Sequence, residues 1–276
     1  MEVKTLKGVP VAVIAEIFNE AFADYKIKFT VTEESFNKKF AAEAIMPEES
    51  AGAFADGRLV GFILHGMDEI DGQKRVFNAG TGVVPQYRGQ KLTEKMYTYI
   101  LPLLAAQGFR HHQLEVLHDN LTAKRIYERM GFKDVRMVAS FKGPVGEYSS
   151  PGITIKEVPD LDWAAVESFR TIEPTWQNNT QCIQRALGRH KLFAAHLAGE
   201  LAGYAAFDTY NGRLKQFGVK PELRRKGVGR ALFGEVGKHG EINFVNYDLS
   251  DTESIAFFKN LGLQQDFEMF EMKMYY

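Results

Sequence analysis

Two segments in the first half of the chain recur, in the same order, in the second half. A predicted β-hairpin, in which an apolar strand and a tight turn lead into a second strand containing Gly61, is repeated around Gly203, 142 residues later. The sequence Gly-Val-x-Pro-x-x-Arg begins at Gly82 and again at Gly218, 136 residues later. Because the order is kept while the offset becomes smaller, this chain of 276 residues is predicted to hold two homologous domains.

A segment rich in Gly, Pro and Ser separates the two repeats, at residues 143–151, and predicts a linker. We therefore predict an N-terminal domain at residues 1–142 and a C-terminal domain at residues 152–276. Both open with a predicted strand and helix, Val3 to Phe18 in the first and Ile153 to Val166 in the second. This succession of elements predicts an α+β fold in which each domain is a mixed sheet flanked by helices.

The composition is that of an ordinary globular protein, with 45% hydrophobic and 25% charged residues. A net charge of −1, without long runs of one sign, argues against a nucleic-acid-binding surface. No apolar run approaches the roughly 18 residues that a membrane-spanning helix needs. The single cysteine, Cys182, cannot form an internal disulfide, and no Cys/His cluster has the spacing of metal ligands. We therefore expect a cytoplasmic protein that uses no metal and has neither nucleic acid nor membrane as a partner.

The segment from Leu114 to Phe132 predicts a strand, a helix and the start of another strand. Asn120 is of the type favoured as a helix N-cap, and Gly131 suits the left-handed position that ends many helices. Ala123 and Tyr127 fall on one face of the predicted helix, together with Ile126 and Met130. That face therefore carries a tyrosine one turn before the helix ends, beside a strand, where a proton donor could act.

The order Leu-Glu-Val-x₃-Asn-x₂-Ala-x₃-Tyr-x₃-Gly-Phe resembles the acyl-CoA-binding half of the GNAT superfamily of acyl-CoA-dependent N-acyltransferases. The resemblance implies two tandem GNAT domains, each with a splayed and mostly antiparallel mixed sheet. It implies transfer of an acetyl group from acetyl-CoA to a primary amine of a small molecule or peptide, by direct attack in a ternary complex. Tyr127 would protonate the departing thiolate, since a model tyrosine titrates near about 10 and a thiol near about 8.5. A backbone N–H of the strand at roughly Val76 to Val84 would stabilise the thioester oxyanion.

The resemblance also implies a pyrophosphate-binding loop after the fourth strand, with the pattern Arg/Gln-x-x-Gly-x-Gly/Ala at a helix N-terminus. The C-terminal domain has the full pattern between Arg224 and Gly229, whereas Lys91 and Thr93 occupy the glycine positions of the N-terminal domain. This weakens the pattern there without excluding phosphate. The residues implied to bind acetyl-CoA are Val83, Val84, Arg88, Gly89, Gln90, Lys91, Leu92, Thr93, Asn120 and Ala123 in the first domain, and Arg224, Arg225, Lys226, Gly227, Val228, Gly229 and Arg230 in the second.

The C-terminal domain lacks the tyrosine. Counting back from Gly262 as from Gly131 brings Phe258 to the position of Tyr127, and phenylalanine cannot donate a proton. Catalysis in the N-terminal domain is therefore the leading hypothesis, and the C-terminal domain could shape the acceptor pocket, form a homodimer or bind a second CoA. The alternatives are catalysis in the C-terminal domain with another acid such as Tyr247, or a non-catalytic acyl-CoA sensor or scaffold.

The general base stays open at this point. Glu115, on the strand before the helix, is one candidate, although strand alternation can turn it away from the acceptor. Other candidates are His65, Asp68, Glu69 and one of His111 and His112, and a chain of water molecules could also serve. The segment from Tyr25 to Ser50, which mixes phenylalanines with lysines and glutamates, is predicted to cover the acceptor side of the first domain. Trp176 is predicted to anchor a loop or line a pocket in the second domain.

Overall fold

The computed structural model describes residues 1–25 and 30–276, so Lys26, Lys28 and Phe29 of the predicted acceptor segment lie outside the described residues. Two compact units divide the chain. The first unit comprises Met1–Val135 together with Phe270–Tyr276, and the second comprises Arg136–Met269.

The first unit is a sheet with helices on both faces, and its elements follow the predicted order. Its strands are β1 (Glu2–Thr5), β2 (Ala51–Ala55), β3 (Arg58–Ile70), β4 (Gln73–Val83) and β5 (His111–Leu117). Its helices are α1 (Val11–Ala21), α2 (Glu33–Glu43), α3 (Leu92–Ala106) and α4 (Leu121–Arg129). Strands β1 to β4 pair in sequence order as antiparallel neighbours, and β5 pairs with β4 in parallel.

The hairpin between β2 and β3 turns at Asp56 and Gly57, whose φ angles are +48° and +80°. Two successive positive φ angles are typical of the type I′ turn, whose twist matches that of the flanking strands. The second unit repeats this turn at Ala198 and Gly199, with φ angles of +51° and +85°. The two predicted hairpins are therefore confirmed.

Strands β4 and β5 pair only over a short stretch, from Arg75 opposite His111 to Phe77 opposite Gln113. Beyond that point β4 runs on to Val83 and β5 to Leu117 without further pairing between them. The sheet is therefore splayed at the carboxyl ends of these two strands, and backbone groups there are left for a ligand.

Helices cover the two faces of this sheet and bury two separate clusters of apolar side chains. Helices α3 and α4 lie on one face, where Met96, Ile100 and Tyr127 pack with Val76 and Leu114. Helices α1 and α2 lie on the other face, where they pack against Phe62 and Leu64 of β3. Met272 and Met274, from the C-terminal segment of the chain, complete the first of these clusters and are 0% and 5% exposed.

The second unit repeats the same arrangement. Its strands are β7 (Ile153–Val158), β8 (His190–Leu197), β9 (Glu200–Asp208), β10 (Arg213–Val219) and β11 (Ile242–Asp248). Its helices are α5 (Trp163–Glu167), α6 (Thr180–Arg185), α7 (Val228–Gly237) and α8 (Thr252–Asn260). Two further strands, β6 (Lys133–Gly143) and β12 (Gln264–Tyr275), each have residues in both units. Strands β7 to β10 pair as antiparallel neighbours, and β6 pairs antiparallel with β11. The parallel pairing of β10 with β11 is confined to Arg213 and Leu214, so this sheet is splayed as well.

The compact units differ from the predicted division of the chain in two respects. Residues 136–143 of β6 belong to the second unit although they precede the predicted linker, and Phe270–Tyr276 belong to the first unit although they end the chain. Residues 144–150 of the predicted linker have no regular structure, and several of them lie against glycines at the start and within α7 of the second unit. A Cβ added at Gly234 would lie 2.7 Å from the backbone nitrogen of Tyr148, so the absence of a side chain allows this close approach.

Candidate active site

A cavity of about 650 Å³ opens in the first unit where β4 and β5 separate. Its walls are the end of β4, the loop that leads into α3, the start of α4 and the residues that follow α1. Most of the residues implied to bind acetyl-CoA in this unit line it, and so does the expected acid. These residues are Val83, Arg88, Gly89, Lys91, Leu92, Thr93, Asn120, Ala123 and Tyr127.

Two of the residues implied to bind acetyl-CoA in this unit, and one candidate for the general base, lie outside this lining. Val84 is fully buried, and its N–H donates to the carbonyl oxygen of Val60 at 2.9 Å, so this donor is already used. Gln90 is exposed and does not line the cavity. Glu115 is half-buried on β5, in alternation with Leu114 and Val116, whose side chains pack on the α3–α4 face.

The loop before α3 has two residues in the left-handed conformation, Gly89 with φ +76° and Lys91 with φ +55°. Helix α3 begins directly afterwards and has no side-chain cap, so the N–H groups of Leu92 and Thr93 at its start have no intrahelical partner, while that of Glu94 is hydrogen-bonded to its own carboxylate. These three residues line the cavity. An uncapped helix N-terminus is a favourable site for phosphate, and the residues present therefore fit the pyrophosphate of acetyl-CoA.

The corresponding loop of the second unit has the same backbone conformation. Arg225 and Gly227 have φ angles of +65° and +90°, and α7 begins at Val228. The glycine thus falls at the first left-handed position in one loop and at the second in the other. The lysine at position 91 departs from the family pattern without changing the conformation of the loop, although a left-handed non-glycine residue costs about 1 kcal/mol.

Arg88 ties this loop to the preceding elements. Its Nε donates to the carbonyl oxygen of Val83 at 3.1 Å, and its Nη2 donates to the carbonyl oxygen of Ala21 and to the carboxylate of Asp24, both at 2.8 Å. Its contact with acetyl-CoA stays a prediction, while these hydrogen bonds give the side chain a role in shaping the loop.

Arg224 makes equivalent hydrogen bonds in the second unit. Its Nε donates to the carbonyl oxygen of Val219 at 3.1 Å, and its Nη2 donates to the carbonyl oxygen of Phe169 at 3.3 Å. The equivalence of Arg88 and Arg224, expected from the repeated Gly-Val-x-Pro-x-x-Arg motif, therefore extends to their hydrogen bonds.

Tyr127 lies where the helix pattern predicts it, on the inner face of α4 and only 8% exposed. The side chain of Asn120 caps the helix by accepting the N–H of Ala123 at 3.2 Å, and Gly131 follows the helix with φ +100°. Burial raises the pKa of Tyr127, and hydrogen bonding to the side chain of Thr81 acts in the opposite direction. The hydroxyl therefore carries its proton at neutral pH, as a general acid must.

Four polar residues beside Tyr127 are not singled out by the sequence pattern. Asn78 and Thr81 lie on β4, and Tyr97 lies on α3 with its ring centroid 6.2 Å from that of Tyr127. Tyr25 lines the cavity and forms a hydrogen bond with Asn120. One signal was available, because asparagine is disfavoured inside strands and here interrupts the apolar run of β4.

The side chains considered as general bases do not line this cavity. They are Glu115, His65, Asp68, Glu69, His111 and His112. His65 and His112 are fully buried, with ring centroids 4.7 Å apart. Carboxylates that do line the cavity include Asp24, which is paired with Arg88, and Glu94, which is paired with Arg129 at 2.8 Å.

The predicted acceptor segment contributes mainly to packing in its described part. Phe36 and Phe40 of α2 are buried against α1, while Tyr25 reaches the cavity. In the second unit Trp176 is 1% exposed and begins a single 3₁₀ turn. Its burial fits the predicted role as a loop anchor.

The second unit has its own cavity of about 420 Å³ at the start of α7. Arg224, Arg225, Gly227, Gly229 and Arg230 line this cavity, whereas Lys226 and Val228 do not. Phe258 is fully buried at the position that corresponds to Tyr127. Tyr247, the alternative acid, lies outside this lining and donates its hydroxyl hydrogen to the carboxylate of Asp251 at 2.6 Å.

Among residues 1–25 and 30–276, no group of three or more His, Cys, Asp or Glu side chains could hold a metal ion. Within the same residues, none of the helices is long and apolar enough to cross a membrane.

Several solved structures share the fold of this chain. A GCN5-related N-acetyltransferase from Sphaerobacter thermophilus has a TM-score of 0.75 at 18% identity, with 99% of this chain and 95% of that chain covered. A tandem GNAT protein from the clavulanic acid biosynthesis pathway has a TM-score of 0.72 at 13% identity, with 99% and 98% covered. A glucosamine N-acetyltransferase region of a fungal multi-domain β-N-acetylglucosaminidase has a TM-score of 0.73 at 14% identity, with 98% and 38% covered. At these identities the likeness concerns the fold.

Family models match both halves of the chain, although no curated protein sequence matches it. Residues 13–132 match the Acetyltransferase (GNAT) family, and residues 158–272 match an Acetyltransferase (GNAT) domain. The two matched ranges together cover most of the chain and correspond to the two repeats. The chain therefore belongs to the GNAT acetyltransferase family and carries two GNAT domains in tandem.

Proposed function

We propose that the protein transfers an acetyl group from acetyl-CoA to a primary amine of a small molecule or peptide, and that the first unit performs the chemistry. The observation that carries this proposal is the hydroxyl of Tyr127, buried in the wall of a cavity that also receives the uncapped N-terminus of α3. An acid and an anion site in one cavity are what acyl transfer from a CoA thioester requires.

The first unit would hold acetyl-CoA, which supplies the reactive thioester, through backbone groups. The N–H groups of Leu92 and Thr93 would bind the pyrophosphate, and the exposed ammonium of Lys91 would add electrostatic attraction. The end of β4 beyond the last pairing with β5 would offer backbone groups to the rest of the molecule, including an N–H for the thioester oxygen as it becomes negative.

Tyr127 completes the transfer by supplying a proton. As the amine nitrogen bonds to the carbonyl carbon and the carbon–sulfur bond breaks, its hydroxyl protonates the sulfur and becomes a tyrosinate. The amine loses one proton to a base or to water, and the tyrosinate recovers one from solvent, so the products are an N-acetylated amine and free CoA. The second unit is less suited to this step because Phe258 occupies the position that corresponds to Tyr127, and the hydroxyl of Tyr247 is hydrogen-bonded to Asp251.

Replacing Tyr127 by phenylalanine tests the proposal. We expect Tyr127→Phe to lower kcat by roughly 100-fold, because a positioned general acid contributes about 10²- to 10⁴-fold, and to leave the Kd of acetyl-CoA within about twofold, since the ring is retained. Turnover is measured as released thiol with acetyl-CoA and a panel of free lysine, glucosamine, spermidine and a peptide with a free N-terminus. Calorimetric titration of acetyl-CoA gives the Kd.

Tyr204→Phe provides the matched control. Tyr204 is fully buried in the second unit, and its hydroxyl donates to the side-chain oxygen of Gln216 at 2.9 Å. This variant loses one buried hydroxyl, as Tyr127→Phe does, but should retain its kcat. If Tyr127→Phe turned over at the wild-type rate, Tyr127 would not be the acid. If acetyl-CoA bound to the wild-type chain but no amine in the panel were acetylated, a non-catalytic sensor would be the better description.

A further inference from the structure

A β-bulge in β4 brings two polar side chains to the same face of the sheet. Leu64 of β3 lies opposite Gly80, while the next residue, His65, lies opposite Asn78, so Ala79 is an extra residue in β4. In a regular strand, residues three apart point to opposite faces. The extra residue reverses this alternation, so Asn78 and Thr81 both face α3 and α4.

The hydrogen bonds of Asn78 have a fixed direction. The backbone N–H of Gly80 donates to Oδ1 of Asn78 at 3.0 Å, which identifies the oxygen of this amide. The two hydrogens of Nδ2 must therefore serve as donors to the remaining neighbours. They go to Oγ1 of Thr81 and to the hydroxyl oxygen of Tyr97, each at 2.7 Å.

The hydroxyl protons of Thr81 and Tyr97 are therefore not used by Asn78. Thr81 and Tyr97 accept hydrogen bonds from Asn78, so each keeps its own hydroxyl hydrogen to donate elsewhere. Thr81 lines the cavity together with Tyr127, and its hydroxyl is close enough to that of Tyr127 to lower the pKa of the tyrosine. When Thr81 donates to the oxygen of Tyr127, the hydroxyl hydrogen of Tyr127 is left free to point into the cavity.

The second unit has lost all four members of this group together. The offset of 136 residues between the two Gly-Val-x-Pro motifs matches Asn78, Thr81 and Tyr97 with apolar residues, and the helix offset of 131 does the same for Tyr127. The counterparts, in that order, are Leu214, Phe217, Phe233 and Phe258. The bulge is nevertheless kept, with Lys215 as its extra residue.

The apolar counterparts pack closely on one another. The ring centroids of Phe217 and Phe233 are 5.0 Å apart, and each is 5.7 Å from that of Phe258. If the bulge needed these hydrogen bonds only to keep its structure, the second unit, which has the same bulge, would need them as well. The four polar residues therefore behave as one set, present in the unit with the acid and absent from the other.

We propose that Asn78, Thr81 and Tyr97 are positioning residues that form one hydrogen-bonded unit with Tyr127, orienting its proton towards the substrate and stabilising the tyrosinate formed when that proton is given to the departing sulfur. The proposal rests on the proposed role of Tyr127 as general acid. In this step the O–H bond of Tyr127 breaks and an S–H bond forms, and the hydroxyl of Thr81 then donates to the negative oxygen. A buried anion without such a donor is strongly disfavoured.

A double-mutant cycle between Thr81 and Tyr127 tests this coupling in the full chain. Thr81→Val keeps the shape of the side chain and removes its hydroxyl. We expect kcat, measured with acetyl-CoA and the best amine of the panel, to fall about tenfold or more in the otherwise wild-type chain. The same change in the Tyr127→Phe background should alter kcat by less than about twofold, because no tyrosinate forms there.

Matched variants separate this coupling from a loss of stability. Thr175→Val is the control, since Thr175 is 1% exposed in the second unit and its Oγ1 also accepts from an asparagine amide, that of Asn178 at 3.2 Å. It should leave kcat unchanged. Tyr97→Phe repeats the cycle from the other end of the group and should give the same pattern. Thermal unfolding of every variant verifies that the folded state is being compared.

The outcomes distinguish this inference from the proposed function. A loss of kcat in the wild-type background that disappears in the Tyr127→Phe background supports the coupled unit. An equal loss in both backgrounds, or none in either, overturns it while Tyr127 keeps its role. If Tyr127→Phe itself retains full activity, the proposed acid fails and the inference fails with it.

Discussion

At the scale of single residues, the two phosphate-type loops use different side chains for one backbone conformation. Each has two left-handed residues, and in each one of these is glycine and the other is basic: Gly89 and Lys91 in the first unit, Arg225 and Gly227 in the second. Both basic side chains, Lys91 and Arg225, are exposed and lie near the positive N-terminal end of the helix that follows. The conformation therefore depends on where positive φ angles are needed, and the glycine pattern alone is an incomplete guide to it.

One exposed basic residue in each loop provides a pair of charge reversals that reports which unit binds acetyl-CoA productively. Lys91 and Arg225 are both exposed and both left-handed, so Lys91→Glu and Arg225→Glu impose similar strain. We expect Lys91→Glu to raise the Kd of acetyl-CoA by roughly tenfold, about 1.4 kcal/mol, and Arg225→Glu to change it by less than about twofold. Calorimetric titration in the full chain gives both values. Weaker binding in Arg225→Glu alone would assign the productive site to the second unit.

At the scale of elements, the sequence predicts what depends on local patterns and not what depends on pairing. The hairpin turns, the N-cap at Asn120 and the glycine after α4 are encoded within a few residues, and the structure confirms them. The bulge at Ala79 is different, because it exists only relative to β3. For this reason the strand around Asn78 could be predicted, but the meeting of Asn78 with Thr81 could not.

The N-cap of α4 links stability to ligand binding. Asn120→Ala removes the cap on Ala123 and the hydrogen bond to Tyr25, and we expect a loss of about 1 kcal/mol in the free energy of unfolding, as is typical of N-caps. We also expect weaker acetyl-CoA binding, since Asn120 lines the cavity. Asp162→Ala removes an equivalent cap from α5 and should lower stability without changing the Kd. Urea unfolding gives the stability of each variant, and calorimetric titration gives its Kd for acetyl-CoA. Equal Kd values for the two variants would mean that Asn120 only caps the helix and does not contribute to binding.

At the scale of the whole molecule, the two units are not consecutive stretches of the chain. Phe270–Tyr276 belong to the first unit and bury Met272 and Met274 in its core, whereas residues 136–143 belong to the second. Hydrophobic patterning predicts that each segment is a strand, but it does not say which of two homologous sheets receives it. Cutting the chain near residue 150 would remove Met272 and Met274 from the first core, so binding is best measured on the intact protein.

The buried histidine pair should make the stability of the protein depend on pH. Burial lowers the pKa of His65 to about 4 and holds that of His112 well below its usual value. In the unfolded chain a histidine titrates near about 6.5. As the pH falls from about 6.5 towards 4, the unfolded state therefore binds more protons than the folded state, and the free energy of unfolding decreases. His65 alone would contribute a loss of about 2 kcal/mol at pH 5 relative to neutral pH.

Replacement of one member of this pair isolates its share of the effect from that of other titrating groups. Neither ring nitrogen of His112 has a hydrogen-bond partner within the described part of the chain, so His112→Leu gives up no hydrogen bond there and should be close to wild-type stability at pH 7.5. Urea unfolding at pH 7.5 and 5.0 compares the two proteins. We expect His112→Leu to lose less stability between these pH values than the wild type, because one group that charges only on unfolding is gone. Identical pH dependence would mean that His112 becomes protonated in the folded state, which its complete burial against His65 opposes.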